Sequence, residues 1–202
     1  QERAVELAKA NNALKQTLDV LATEPELDKF LGQVLGAIAN QFQSPLTEYW
    51  YHPESDIAYV GMISWQGQIL NREEISKVFP THPGLDGFKV PPELRGGESL
   101  QRHKQCIIYE DHSTHPVTKH LDWVANWIVP QGLIKELNVP MALGEETIGR
   151  LIIRLPGDRS FTKERIELAQ ALAHQATLAI QLTRLAEQNR ESAILEERNR
   201  LA

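Results

Sequence analysis

The sequence predicts an α+β fold, with an antiparallel sheet that carries helices from both chain ends on one face and an irregular segment on the other. Three observations predict it. Strong helix formers occupy both ends of the 202-residue chain, and aromatic and β-branched runs joined by turns fill the middle. A stretch rich in Pro and Gly, 71–104, separates two groups of strands. The element order is helix, two strands, irregular segment, strand, helix, two strands and a long helix.

The first element is a helix over residues 2–22, which contain no Gly or Pro. Its possible core positions alternate in spacing between four and three residues: Leu7, Asn11, Leu14, Leu18 and Leu21. That alternation favours a coiled-coil seam in which Asn11 pairs with its mate and sets the register. A helix of three heptads that packs on its own domain is the alternative. We assign 1–22 as an N-terminal signalling helix.

A second helix and a hairpin follow. The run "ATEPELDKFLGQVLGAIANQF" has an apolar stripe at helical spacing, and Thr23 suits its N-cap. The run "LTEYWYHPESDIAYVGMISWQGQIL" reads as two strands around the turn "HPESD". Within the irregular segment, "REEISKVF" suits a short helix, and "KQCIIYED" after it suits a short strand.

The last third of the chain predicts a helix, a hairpin and a long helix. In "TKHLDWVANWIV" a regular helix would place Leu121, Val124, Ala125 and Ile128 on one face, over the sheet. The runs "LIKELNVPMAL" and "TIGRLIIRL" form a hairpin around "GEE". Thr162 is the expected N-cap of a helix that continues to the end of the chain. We expect this helix to lie close to the sheet through its small side chains Ala171, Ala173, Ala176 and Ala179.

Composition excludes several classes of function. The formal charge of −6 and pI near 5.7 argue against binding to nucleic acid or to an anionic membrane surface. Cys106 is the only cysteine, which fits a reducing cytoplasm. No apolar run reaches the roughly 18 residues of a membrane span. We therefore expect a cytoplasmic domain without membrane contact, and any membrane anchor would lie upstream of Gln1.

The segment "LNVPMALGEETIGRLIIRLPGDRSFTKERIELAQALAHQATLAIQLTRL" resembles the C-terminal half of a GAF domain. The resembling features are an apolar strand ending at Val139-Pro140, the pair Ile148-Gly149, Phe161-Thr162 before an acidic helix start, and "LAHQATLAIQ". The resemblance implies a GAF domain over 23–186, which is a sensory or regulatory module. It also implies a pocket for an unknown small molecule between the sheet and the irregular face.

The same resemblance implies which residues would meet a ligand. In GAF folds the helix after the middle strand usually roofs the pocket, so Trp123 and Trp127 are the expected pocket residues, with polar contacts from His120 and Tyr109. Core packing is the competing interpretation of these aromatic residues. Two subtypes of the family fit poorly. Cys106 is followed by Ile107, not by the His of bilin-binding members, and the Asn-Lys-x-x-x-Phe-x-x-x-Asp-Glu signature of cyclic-nucleotide binders is missing.

The end of the chain carries a second resemblance. The run "LEERNRLA" is similar to the start of the dimerisation helix in histidine kinases related to nitrate sensors. It implies that 187–202 begin a connector to a kinase domain, which would use ATP, dimerise and transfer its phosphoryl group to a response regulator. The helix before it continues the heptad spacing, and so we place its dimer seam at Leu178, Leu182, Leu185 and Asn189.

No motif in the chain predicts catalysis. There is no Gly-rich phosphate loop, no nucleophile elbow and no Ser, His and Asp set at motif spacing. The histidines at 103, 112, 115 and 120 do not have the spacing of a known metal motif, and turn chemistry or solvated imidazole is the favoured interpretation. We expect a non-catalytic fragment without metal or cofactor. The alternatives are a ligand-free GAF spacer that only dimerises, and a GAF input to another output, such as a nucleotide cyclase.

Overall fold

The computed structural model describes residues 24–54, 56–94 and 105–201. Its helices are α1 (Glu24–Phe42), α2 (Arg72–Val78) and α3 (Lys163–Leu201). Its strands are β1 (Leu46–Glu54), β2 (Ile57–Trp65), β3 (Gln68–Asn71), β4 (Phe88–Lys89), β5 (Ile107–Tyr109), β6 (Lys135–Leu143) and β7 (Glu146–Leu155). The predicted helix at 2–22, with its seam at Leu7, Asn11, Leu14, Leu18 and Leu21, lies outside the described residues.

The strands form one antiparallel sheet in the order β3-β2-β1-β7-β6-β5, and β4 pairs with β2 beside β3. The last hairpin pairs with β1 through β7, which therefore lies at the centre of the sheet. Gly149 is required where these strands meet, because a Cβ there would stand 2.5 Å from the carbonyl oxygen of Trp50. The α+β architecture predicted from the sequence is confirmed.

The two long helices cover one face of the sheet. Apolar side chains of α1 pack against α3 and against the alternate residues of β6 and β7 that point to that side. The contact surface of α3 is built from Ala169, Ala173, Ala176 and Ala179, all buried. Small side chains let the helix approach the sheet closely, as predicted, but Ala169 takes the place of the expected Ala171, which is only half-buried.

The opposite face is covered by irregular chain. A second apolar cluster lies there, made of residues from β1 and β2, from α2 and from the segment around Val124 and Ile128. A capping box starts α2, with Asn71 Oδ1 accepting from the Glu74 N–H and Glu74 Oε2 accepting from the Asn71 N–H. The short helix predicted at "REEISKVF" is thus confirmed.

Two local predictions were wrong in detail. The second strand of the first hairpin is divided at Gln66 and Gly67, both with positive φ, and the residues after this turn form β3. The helix predicted over 118–129 is instead a 3₁₀ turn at Thr118–His120 followed by a π-helical turn at Val124–Ile128. Three of the four residues predicted to face the sheet still do so, with Leu121 half-buried in the same cluster as Val124 and Ile128. Ala125 is exposed, whereas Val124 and Ile128 are buried.

The remaining element predictions agree with the structure. The hairpin of β6 and β7 turns at Gly144, and Thr162 Oγ1 accepts from the Arg165 N–H at the start of α3 (3.4 Å). Helix α3 crosses the predicted boundary at 186 without a break. In the part of the chain that the structure describes, no helix combines the length and hydrophobicity that crossing a bilayer requires.

Candidate functional site

A cavity of about 220 Å³ lies between the sheet and the irregular segment. Its floor consists of side chains from β6 and β7: Glu136, Asn138, Arg150, Ile152 and Arg154. Its walls come from β1, β2, β5 and the chain around β4: Trp50, His52, Ala58, Pro83, Phe88, Val90, Leu94, Ile107 and Tyr109. Its roof is the chain before and within the π turn: His112, Thr118, Leu121, Asp122, Trp123 and Val124.

The alternation of side chains along each strand selects these floor residues. On β7, Arg150, Ile152 and Arg154 point to the cavity, whereas the residues between them join the apolar cluster beneath α3. Register places Arg154 directly across from Glu136 on β6. Strand β1, the other neighbour of β7, presents Glu48 and Trp50 to the same face. One face of the sheet thus collects charged groups that are distant in the sequence.

Arg154 is the centre of a buried ion-pair network. Its Nε donates to Glu48 Oε2 at 2.9 Å, and its Nη1 lies 2.6 Å from Glu136 Oε2. All three side chains are at most 7% exposed. A guanidinium suits this place because its fixed, planar set of N–H donors reaches two carboxylates at once.

Two histidines connect this network to the irregular chain. His82, in the loop after α2, accepts from the Gly84 N–H at Nδ1, so its Nε2 carries the proton that is donated to Glu48 Oε1 at 2.9 Å. His112, on the roof, contacts Glu136 Oε2 through Nε2 and Thr118 Oγ1 through Nδ1, both at 2.9 Å. Loop, sheet and roof therefore share one chain of hydrogen bonds.

The carboxyl groups of the network are ionised at neutral pH. Burial opposes ionisation of Glu136, but Arg154 and His112 more than offset it and hold its pKa at about 2. The pKa of Glu48 is lowered in the same way, with burial outweighed by Arg154 and His82. Burial likewise disfavours the charged form of Arg154, and the two carboxylates reverse this effect and raise its pKa. The three groups stabilise one another's charged forms.

Aromatic rings form the side of the cavity near the roof. The indoles of Trp123 and Trp127 are stacked, with centroids 4.6 Å apart and planes 5° from parallel. Trp123 lines the cavity and packs on the His82 ring, which also contacts Trp50. Trp127 packs behind it against Trp65 and Phe79. Within the described residues, the Nε1 atoms of Trp50 and Trp123 are buried and have no hydrogen-bond partner.

The structure separates the four predicted ligand residues. Trp123 and Tyr109 line the cavity, Trp127 lies beside Trp123 but outside the lining, and His120 is exposed and outside it as well. His112 takes the polar position on the roof, although the sequence favoured solvated imidazole there. Turn chemistry does explain His115, whose Nδ1 accepts from the Thr118 N–H.

Sequence reasoning missed the ion-pair network: Glu48, His82, His112, Glu136 and Arg154. One signal was available, because Glu136 and Arg154 are charged residues at positions of largely apolar strands that alternate towards a buried face. His103 lies outside the described residues. Among the residues that are described, no three His, Cys, Asp or Glu side chains are placed so as to hold a metal ion.

Cys106 lies away from the cavity. It precedes β5 and packs against the apolar cluster on the helix face of the sheet. Burial raises the pKa of its thiol, although a hydrogen bond with Gln170 opposes this effect. A thiol that stays protonated is a poor nucleophile, and its place behind the sheet gives no support for covalent attachment of a ligand in the cavity.

Comparisons with known proteins agree with this architecture. The family described as "GAF domain" matches residues 54–181, inside the predicted 23–186. The sensor histidine kinase YhcY of Bacillus subtilis (strain 168) is 36% identical over 72 residues, which are 36% of this chain and 19% of that protein. The chain therefore spans much less than two thirds of the curated relative it matches.

Solved structures share the fold at low sequence identity. The GAF domain of an Acinetobacter phosphoenolpyruvate-protein phosphotransferase superposes with a TM-score of 0.61 and 13% identity, covering 92% of this chain and 96% of that one. A GAF domain/HD domain protein from Geobacter sulfurreducens gives a TM-score of 0.58 and 15% identity, covering 79% of this chain and 95% of that one. The family match covers more than half of the sequence, and the folds agree: the chain belongs to the GAF domain family.

Proposed function

We propose that this chain is the sensory domain of a dimeric two-component histidine kinase in the cytoplasm. A small molecule would bind in the cavity, and α3 would carry the signal to an ATP-dependent kinase domain and from there to a response regulator. The resemblance to YhcY supports the kinase context. A ligand-free spacer, or a GAF input to a cyclase, is the competing function.

Strand β7 is the observation that carries the proposal. Its cavity face presents Arg150, Ile152 and Arg154, and its other face presents Leu151, Ile153 and Leu155 to the cluster that includes α3. A change of packing at the cavity therefore reaches the helix through a single strand. Coupling of this kind requires a ligand that binds two arrangements of the helix with different affinity.

The kinase proposal predicts that filling the cavity alters autophosphorylation of the full-length protein. Ala58 is buried and lines the cavity, so Ala58→Phe places a ring where a ligand would bind. We expect the rate of autophosphorylation with ATP to change about fivefold or more, in line with typical coupling energies. Ala37→Phe, on the exposed side of α1, is the control.

Urea unfolding of both variants checks that the fold persists. A rate that is unchanged in a folded Ala58→Phe protein would favour the ligand-free spacer. Absence of any autophosphorylation in the full-length wild type, together with cyclase activity, would favour the other output.

Dimerisation through α3 is the second part of the proposal. Leu182 and Leu185 are 45% and 53% exposed, whereas Leu178 is half-buried and Asn189 is exposed. Large apolar side chains exposed at heptad spacing favour a partner helix, as does the predicted seam on the N-terminal segment. A second copy of this chain would cover them.

We expect Leu182→Glu combined with Leu185→Glu to convert a dimer into a monomer, because the charges would meet across the seam. Light scattering after size-exclusion chromatography measures the mass. The matched control is Ile194→Glu with Leu195→Glu, which alters two equally exposed apolar residues off the seam. A monomeric wild type, or dissociation by the control pair alone, would contradict this seam.

A further inference from the structure

The charged groups at the floor of the cavity are engaged with their neighbours. Arg154 pairs with Glu48 and Glu136, and Arg150 Nη1 donates to Asn138 Oδ1 at 2.9 Å. A ligand would gain little by competing for these bonds, because each exchange breaks an existing charge-assisted contact. Recognition of a ligand therefore depends on the other groups of the lining.

Asp122, on the roof, differs from these floor groups. Of the described residues that line the cavity it is the only exposed one, so it marks the side on which the cavity opens. Its carboxylate makes no hydrogen bond or ion pair in the part of the chain that the structure describes, and none joins it to the nearby Lys119. A ligand that enters from solvent can therefore reach this carboxylate.

The cavity carries an excess of one negative charge. Three carboxylates and two guanidinium groups line it or pair with its lining: Glu48, Glu136, Asp122, Arg150 and Arg154. His82 is neutral, since its Nδ1 accepts a hydrogen bond, and His52 and His112 add no charge in their neutral forms. Burial raises the pKa of Tyr109 to about 12, so its phenol is uncharged. A cation would compensate the excess charge, whereas an anion would lose its hydration and be repelled.

The walls and the roof are largely aromatic and apolar. Phe88, Val90 and Leu121 contribute to them, as does Trp123, which directly follows Asp122 in the sequence. An aromatic ring attracts an organic cation through the negative face of its π system. The volume of about 220 Å³ is below the roughly 300 Å³ at which typical ligand pockets begin. The lining therefore suits a compact molecule that combines an apolar body with a positive charge.

We propose that the cavity binds a compact organic cation, a protonated amine with an aromatic or apolar body, whose ammonium group pairs with Asp122. The body lies against Trp123 and Phe88, above the ion-pair network of the floor. Because Asp122 stands at the opening, the ammonium group keeps part of its hydration, and burial of the body supplies most of the affinity. This proposal rests on the sensory function proposed above and specifies the chemical class of its ligand.

Three compounds that share a phenylethyl body test the sign of the charge: 2-phenylethylammonium, 2-phenylethanol and 3-phenylpropionate. Calorimetric titration of the 202-residue chain at pH 8, where imidazole groups are in general neutral, measures their affinities. We expect the ammonium compound to bind about threefold to tenfold tighter than the alcohol, the effect of a partly exposed ion pair beside an aromatic ring. The propionate should bind more weakly than the alcohol. Added salt should reduce the preference for the ammonium compound, because it screens the ion pair.

Substitution of Asp122 locates the ion pair. Asp122→Asn keeps the size of the side chain and removes its charge, so the affinity ratio of the ammonium compound to the alcohol should fall towards one. A loss of packing weakens both compounds alike and cancels in this ratio, as in a double-mutant cycle. Asp122→Lys should reverse the preference, so that the propionate binds tighter than the ammonium compound.

The matched control is Asp86→Asn. Asp86 is exposed and lies between Pro83 and Phe88, which both line the cavity, but it is itself outside the lining. This substitution removes the same charge near the cavity without removing the proposed partner, so the affinity ratio should stay as in the wild type.

Equal or tighter binding of the alcohol or the propionate by the wild type would overturn the proposed ligand class, as would no binding of any of the three compounds. An affinity ratio that Asp122→Asn leaves unchanged, or that Asp86→Asn lowers equally, would overturn the assigned carboxylate. None of these results decides the sensory function, because the Ala58→Phe kinase measurement requires no known ligand.

Discussion

Replacing Arg154 with Met is expected to destabilise the fold by about 3–5 kcal/mol, the usual cost of removing one partner from a buried ion pair. The substitution keeps most of the side-chain volume but leaves Glu48 and Glu136 buried without their shared cation. Because domains of this size are stable by only about 5–15 kcal/mol, this loss is a large fraction of the total stability. Equilibrium unfolding in urea at pH 7 measures the loss.

Arg150→Met is the matched control on the same strand and the same face. Arg150 is half-buried and donates to the neutral amide of Asn138, so a smaller loss of about 1–2 kcal/mol is expected. Adding Glu48→Gln and Glu136→Gln to Arg154→Met should restore part of the stability, because the uncompensated charges are removed. The account of the network is wrong if Arg154→Met and Arg150→Met cost the same.

Lowering the pH is expected to lower the free energy of unfolding of the wild type through protonation of Glu136. In Glu136→Gln this loss should be smaller by roughly 3 kcal/mol. The pKa of Glu136 in the folded protein is about 2, against an ordinary value of 4.5. Between these two values the unfolded chain binds a proton that the folded chain does not. Glu136 therefore stabilises the fold fully above pH 4.5, and its contribution is lost as the pH falls towards 2.

Urea unfolding at a series of pH values between 6 and 2 gives the slope of the unfolding free energy against pH. This slope should be smaller in Glu136→Gln than in the wild type. Glu136→Gln also weakens the fold at neutral pH, since Arg154 keeps only Glu48, so slopes are compared and not absolute stabilities. The control is Glu73→Gln. The pKa of Glu73 is lowered too, by Lys77, but at an exposed position where solvent screens the pair. Equal slopes in wild type and Glu136→Gln would contradict the conclusion that the lowered pKa of Glu136 causes the acid sensitivity.

The buried network has a structural consequence for the cavity. His82 and His112 belong to segments without long helices or strands, and each is connected to the sheet through a carboxylate of the network. Replacing a buried ion pair by apolar residues often costs no stability, so stability does not by itself explain why the network is there. We therefore interpret the network as a device that fixes the position of loop and roof over the cavity.

Much of the fold could be predicted from the sequence because it depends on local patterns. Period-2 runs marked β6 and β7, the alanine-rich run marked the surface of α3, and Asn71 with Glu74 formed the capping box at "REEISKVF". The errors arose where the backbone leaves regular geometry. Gln66 is a non-glycine residue at positive φ, and a π turn at Val124–Ile128 replaces the regular helix expected there, with Ala125 exposed.

The candidate site was harder to predict for a physical reason. A ligand pocket and Trp123 followed from the family resemblance, yet His120 is exposed and His112 is buried, although only eight residues separate them. Whether an imidazole in a polar loop meets water or Glu136 depends on which strand lies beneath it. No local periodicity contains that information.

By itself, the sequence determined the α+β class, the two helices on one face, the last hairpin and the alanine-rich contact of α3. Each follows from the order of apolar and polar residues over a few turns or strand pairs. Only the tertiary structure decided that Glu48 meets Glu136 and Arg154, because residues about a hundred positions apart become neighbours through strand order and register. The same packing buries the indole N–H groups of Trp50 and Trp123 without a hydrogen-bond partner among the described residues.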